Sequence, residues 1–224
     1  MKKTYDFIIW DLDGTLLDTS EGVLSASQYA IDYFNFSRPS TEIMKTFIGP
    51  PIQCSFAKTF NLTEETAQEM AAVFRKQYKE KELFKAEPYP GIRELIQCLH
   101  RRGIKQAVAT YKREDYTETI IDYFGFSPWL DVICGSDFAG KLTKTDIIVN
   151  AIKKISDQYS LDRGVMVGDT ENDIIGAENI GIDFIAVSYG FGFKCHEELK
   201  YNAVVGIASD VVELGNLLGC KNEN

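Results

Sequence analysis

Five short apolar runs punctuate the chain, at 7–10, 106–109, 132–134, 165–167 and 184–187. Each is continuous rather than alternating, which is the pattern of strands covered on both faces in a parallel sheet. Between most of them the apolar positions recur at helical spacing. Ile92, Leu95, Ile96 and Leu99 mark one face, Ile148, Ala151, Ile152 and Ile155 a second, and Val211, Leu214 and Leu218 a third. Strand and helix alternate, so a parallel sheet with helices on both faces is predicted.

The alternation lapses once. From Leu17 to about Glu87 no strand pattern appears, only helical stripes such as Ala67, Met70, Ala71, Phe74 and Tyr78. The return is marked by Pro88-Tyr89-Pro90-Gly91, where proline stops one element and an amphipathic helix follows. The expected fold is an α/β, Rossmann-like parallel-sheet core over 1–16 plus 88–224, with an all-helical cap inserted over 17–87. Tyr29, Tyr33, Phe34 and Phe36 are expected in the core of that insertion.

Composition narrows the partners. A net charge of -9 and the lack of a basic, aromatic-interleaved stretch exclude a nucleic acid polymer. The first apolar run ends at Asp11, too short for a leader or a span, so no membrane is expected and the cytoplasm is the predicted location. Five scattered cysteines (Cys54, Cys98, Cys134, Cys195, Cys220) without a C-x-x-C read as reduced thiols. The sequons at Asn35 and Asn61 read as chance matches. The sequence leaves the oligomeric state open.

Candidate chemistry collects at strand ends. In Asp11-Leu12-Asp13-Gly14-Thr15, the residues two apart share a face, so both carboxylates can address one site while Leu12 turns inward. Gly14 permits a tight turn whose backbone N–H groups, at Gly14 and Thr15, would meet an anion. Gly168-Asp169-Thr170-Glu171-Asn172-Asp173 follows a later strand and opens a helix, placing Asp169 near its cap and Asp173 one turn on. Thr110 follows another strand and Lys144 begins another helix. Ligands of open parallel sheets bind at the C-terminal strand ends. Acids there with Mg²⁺, one lysine and one hydroxyl would admit a phosphate dianion.

These residues resemble the four motifs of the haloacid dehalogenase superfamily of phosphatases, along nearly the whole chain, and most closely its phosphoglycolate-phosphatase-like subgroup. Ile48-Gly49-Pro50-Pro51 is similar to a cap segment of bacterial 5′-nucleotidases. The resemblance implies a Mg²⁺-dependent phosphatase acting on a small phosphorylated metabolite. Asp11 would be the nucleophile that forms an aspartyl-phosphate, and Asp13 the acid and base. Mg²⁺ would lie between Asp11, the Asp13 carbonyl and Asp169, with Asp173 outside or a weaker ligand. Thr110 and Lys144 would hold the phosphate, with Gly14, Thr15 and the backbone N–H of Tyr111. Lys141 lies only three residues before Lys144; the lysine that directly precedes the helix fits the family pattern.

Competing readings are weaker. Asp11–Thr15 and Asp169–Asp173 both begin like calcium loops, but Leu16 and Ile174 occupy the required glycine positions. Gly135–Leu142 misses a nucleotide-binding P-loop because Leu142 replaces the hydroxyl residue. His100 and His196 have no catalytic partner at informative spacing and read as structural. Tyr189-Gly190-Phe191-Gly192 reads as a turn bordering the site. A phosphomutase of the β-phosphoglucomutase type would use the same aspartates, yet only Lys45 and Lys58 offer cations near the Gly49 turn. A silent phosphate-binding regulator would bind without turnover.

Overall fold

The computed structural model describes residues 3–155, 160–193 and 201–220; His196 and Cys195 lie outside them. The chain divides into two compact units, one made of 1–17 with 88–224 and the other of 18–87.

The first unit is built on a six-stranded sheet: β1 (Phe7–Trp10), β4 (Lys105–Arg113), β5 (Val132–Ser136), β6 (Gly164–Gly168), β7 (Asp183–Val187) and β8 (Val204–Ala208). Its order is β5-β4-β1-β6-β7-β8, with every pairing parallel. The two-residue strands β2 (Leu17–Asp18) and β3 (Glu87–Pro88) stand where the chain passes between units. β1 is central because its four residues are wholly apolar and fully buried, so it needs cover on both edges and both faces.

Helices α5 (Ile92–Arg101), α6 (Glu114–Tyr123), α7 (Lys144–Ile155), α8 (Glu171–Ile180) and α9 (Val211–Leu217) complete this unit. One face of the sheet, with Phe7, Ile9, Met166 and Phe184, packs on Ile147, Ile148 and Ala151 of α7 and Ile174 and Ala177 of α8. On the opposite face Trp10 Nε1 donates to Gln106 Oε1 at 3.1 Å, and Gln106 Nε2 donates to the Ile96 carbonyl of α5 at 3.0 Å. A buried glutamine is tolerated there because its amide is satisfied on both sides. Thus helices cover both faces, as the alternation of patterns predicts.

The second unit holds α1 (Ser20–Tyr33), α2 (Thr41–Lys45), α3 (Ile52–Phe60) and α4 (Glu64–Gln77). Phe56 sits edge-on to Phe47 and Phe74, which form the aromatic centre of this unit. The expected burial of Tyr29 and Tyr33 is wrong: both are exposed. Helix α1 instead turns Gly22, Val23, Ala26 and Ala30 inward and packs on α4, and a Cβ at Gly22 would run into the Glu82 carbonyl. Phe36 is half-buried and stacks on Phe60 at 4.7 Å. Asn35 and Asn61 both adopt left-handed backbone, at φ 57° and 52°, at the ends of α1 and α3. Asparagine is among the few side chains that tolerate that conformation.

The reading of the cysteines as thiols also requires correction. Cys98 on α5 and Cys220 just beyond α9 form a disulfide with Cα atoms 6.4 Å apart. Cys54 and Cys134 are free. Two positions 122 residues apart carry no pairing signal in the sequence; docking of α9 beside α5 creates it. No helix among the described residues is long and apolar enough to cross a membrane.

Candidate active site

The sheet register brings three strand ends level. Trp10 pairs with Val108 on one side and Val167 on the other. Asp11 therefore emerges beside the β4 segment carrying Thr110 and the β6 end carrying Asp169, and its N–H donates to the Val167 carbonyl at 2.9 Å. One carboxylate oxygen from each of Asp11, Asp169 and Asp173 lies within 4.8 Å of the others, and all three residues are buried.

Lys144, the first residue of α7, reaches this cluster. Its Nζ lies 2.5 Å from Asp11 Oδ1 and 2.7 Å from Asp173 Oδ1, with the side chain 4% exposed. Lys141 is exposed, so the lysine that meets Asp11 is Lys144. The Lys144 backbone N–H donates to the Tyr111 hydroxyl at 3.0 Å, tying the start of α7 to β4. Burial would lower the lysine's pKa, but the Asp11 and Asp173 carboxylates outweigh it and hold the ammonium above its ordinary value.

In the acids, burial favours the neutral form. Burial pushes the Asp11 carboxyl well above the usual range, against Lys144 and reinforced by Asp173, Asp169 and Asp13. Burial and the Asp173 charge push Asp169 up to about 7, although the N–H groups of Phe191 and Gly192 favour its ionised form. Those donors reach Asp169 Oδ2 at 2.7 and 3.1 Å. The Tyr189–Gly192 turn therefore grips the site rather than merely bordering it. A Cβ at Gly190 would come within 2.5 Å of Asp169 Oδ2, so close approach explains the glycine.

Asp169 Oδ1 is buried and has no hydrogen-bond partner. Asp173 differs, because its Oδ1 is paired with Lys144 Nζ at 2.7 Å, while its Oδ2 accepts from Thr170 N–H at 3.0 Å and Thr170 Oγ1 at 2.7 Å and so caps α8. A buried, unpartnered carboxylate oxygen beside the Asp11 carboxylate is the oxygen-rich donor set that a hard divalent cation takes. The residues fit Mg²⁺.

In the turn after β1, Gly14 has φ 86°, so the predicted need for glycine holds. Gly14 N–H donates to the Leu17 carbonyl at 2.9 Å and Thr15 N–H to the Leu12 carbonyl at 3.3 Å. Both N–H groups take part in closing the turn. The Thr15 hydroxyl, by contrast, is buried without a partner.

Thr110 belongs to β4 itself rather than following it, in a stretch where the β4–β5 register shifts between Ala109 and Arg113. Irregularities of this kind re-aim side chains near sites. Thr110 Oγ1 accepts from Lys112 N–H at 3.2 Å, which leaves its own proton to donate. Asp13 stands apart from the three-acid cluster, its Oδ1 3.0 Å from Lys112 Nζ. Lys112 was not singled out by sequence reasoning. Its place two residues after Thr110 was the available signal, since alternate residues of a strand share a face.

Residues 8–187 match the family model described as haloacid dehalogenase-like hydrolase. A 5′-nucleotidase of Pseudomonas aeruginosa is 30% identical over 213 residues, covering 93% of this chain and 96% of that protein. The tyrosine-protein kinase PtkA of Mycobacterium tuberculosis is also 30% identical over 213 residues, covering 95% and 72%. Among solved structures, a predicted phosphatase from Clostridium acetobutylicum superposes with TM-score 0.88 at 35% identity, covering 96% of this chain and 98% of that one.

Proposed function

This chain belongs to the haloacid dehalogenase-like hydrolase family, and from that premise we propose that it hydrolyses a small organic phosphate monoester in two displacements at Asp11. The observation that carries the reading is the meeting of Asp11, Asp169 and Asp173 within 4.8 Å, with Lys144 against two of them. Asp11 and Asp169 would hold Mg²⁺, with the Asp13 carbonyl and with Asp173 behind them, and the ion would supply positive charge to the oxygens of the transferring phosphoryl group.

The chain's own groups do the rest. Lys144 fixes the Asp11 carboxylate and opposes the charge that accumulates as the phosphate dianion approaches it. Thr110 and Thr15 offer hydroxyl protons to phosphoryl oxygens, which is the use their hydrogen bonding leaves open. In the first displacement an Asp11 oxygen bonds to phosphorus, the ester P–O bond breaks, and Asp13 gives its proton to the departing alkoxide. In the second, water attacks the phosphorus of the aspartyl-phosphate, Asp13 takes the water's proton, and the Asp11–phosphorus bond breaks to release inorganic phosphate. Buried Asp13 is poised for this because it belongs to the same turn as the nucleophile while standing outside the cation cluster.

The test is a screen of small phosphate esters with Mg²⁺, scored by inorganic phosphate released, with Asp11→Asn as blank. Loss of at least about 10⁴-fold in kcat is expected for removal of a nucleophile. Equal release by the variant, or transfer of the phosphoryl group to an added tyrosine peptide in place of water, would overturn the reading.

A further inference from the structure

Lys112 has no part in the scheme above, yet it is built into the site. Among the cations that form ion pairs within the described residues, only Lys112 and Lys144 have side chains less than a tenth exposed, at 6% and 4%. Lys144 serves Asp11 and Asp173. Lys112 lies on the other side of the turn, 3.0 Å from Asp13 Oδ1, and Asp13 is itself 7% exposed. Four buried carboxylates, at Asp11, Asp13, Asp169 and Asp173, thus stand with two ammonium groups on little-exposed side chains, and the second ammonium is paired with the proposed proton donor to the leaving group.

Resting on the proposed phosphatase reading, we infer that Lys112 is a specificity-determining residue that selects leaving groups carrying a second anionic group close to the scissile oxygen. The leaving oxygen must come within about 2.7 Å of Asp13 to take its proton. Lys112 Nζ is one further hydrogen-bond length from Asp13 Oδ1, so it stands within about 6 Å of a leaving oxygen that meets that same carboxylate oxygen. A carboxylate one carbon from the scissile oxygen has its own oxygens about 3 Å from it by ordinary bond lengths, and a phosphate that is itself the leaving group has them closer. Either can meet the ammonium while the scissile oxygen meets Asp13. A neutral alcohol of the same size leaves the buried ammonium with no new partner. The backbone supports the placement, because Lys112 N–H is anchored on Thr110 Oγ1 and the β4 register shift lies over this stretch.

The experiment compares kcat/KM for 2-phosphoglycolate, pyrophosphate and neutral 2-hydroxyethyl phosphate, with Mg²⁺ present. The wild-type protein is expected to favour at least one anionic substrate over the neutral one by about 10- to 100-fold, the range of a charge-assisted hydrogen bond. Preference for phosphoglycolate or for pyrophosphate identifies a carboxylate or a phosphate as the group Lys112 meets. Lys112→Met should bring the ratio close to one, and Lys112→Arg should retain most of it. A wild-type ratio near one overturns the inference without any variant. So does an equal proportional loss on all three substrates in Lys112→Met, which is what a purely structural lysine would produce. If Lys112→Met does not fold, Lys112→Gln reads the same ratio. Absence of Asp11-dependent phosphate release from every substrate would refute the phosphatase reading itself, a result distinct from turnover without preference.

Discussion

Withdrawal of the divalent ion should make this protein less stable as pH rises, and the ion should cancel the effect. Asp169 ordinarily ionises near 3.8 but is pushed up to about 7 by burial and by the Asp173 charge. Between those values the folded chain holds a proton that the unfolded chain has released. Folding then takes up a proton, so stability falls as pH rises through this window, by up to about 1.4 kcal/mol per pH unit for one group. Three units set an upper value of about 4 kcal/mol. Mg²⁺ bound at Asp169 would replace that proton, so its affinity should rise about tenfold per pH unit between about 5 and 7.

Thermal unfolding in chelator and in Mg²⁺ at constant ionic strength, from pH 5 to 7.5, reads the difference. An ion at a hundred times its Kd contributes about 2.7 kcal/mol. For a chain of this size that is a shift of roughly 5–10 °C, expected near pH 7.5 and nearly absent at pH 5. Asp169→Asn removes one of the two titrating groups, so its chelator curve should lose the Asp169 part of the slope while that of Asp11 remains, and its Mg²⁺ shift should vanish. A Mg²⁺ shift of the same size at both pH values, or one retained in full by Asp169→Asn, would refute the reasoning.

Two further outcomes follow from the geometry. Gly14→Ala places a Cβ at φ 86° and into contact with the Asp169 carboxylate, so both backbone strain and displacement of Asp169 are expected; Tm should fall by an amount corresponding to at least about 1–2 kcal/mol, and an unchanged Tm with full phosphatase activity would contradict the turn assignment. Cys98→Ser opens a cross-link spanning 122 residues, for which chain entropy predicts a loss of about 5 kcal/mol; thiol titration under denaturing, non-reducing conditions that finds all five cysteines reactive in the wild type would show the link not to form.

Much of the fold was legible because it rests on local rules. Continuous apolar runs such as 7–10 and 165–167 require cover on both faces, and the structure gives each a central place in the sheet. The acids at the ends of those runs were visible for the same reason, since a polar residue that ends a buried strand must emerge at the sheet's edge. Strand β8 was not singled out from the sequence, where Gly206 interrupts its run of Val204, Val205 and Ile207; in the structure Val205 is exposed. The stripe of Tyr29 and Tyr33 was seen but assigned to the wrong face, because spacing reports that a stripe exists and not which side meets a neighbour.

From its residue order alone this protein has a parallel α/β core interrupted by a helical insertion, and carboxylates gathered at the strand ends. Those features depend on continuous apolar runs and on a period of 3.6 residues, which any short window contains. Tertiary structure alone decided that Lys112 meets Asp13, that Cys98 meets Cys220, that Phe191 and Gly192 grip Asp169, and that the Gly14 and Thr15 N–H groups close a turn. Each depends on where the chain finds a partner once the sheet has closed, and a hydrogen bond or ion pair is made or lost over about an ångström, a distance that no spacing along the chain encodes.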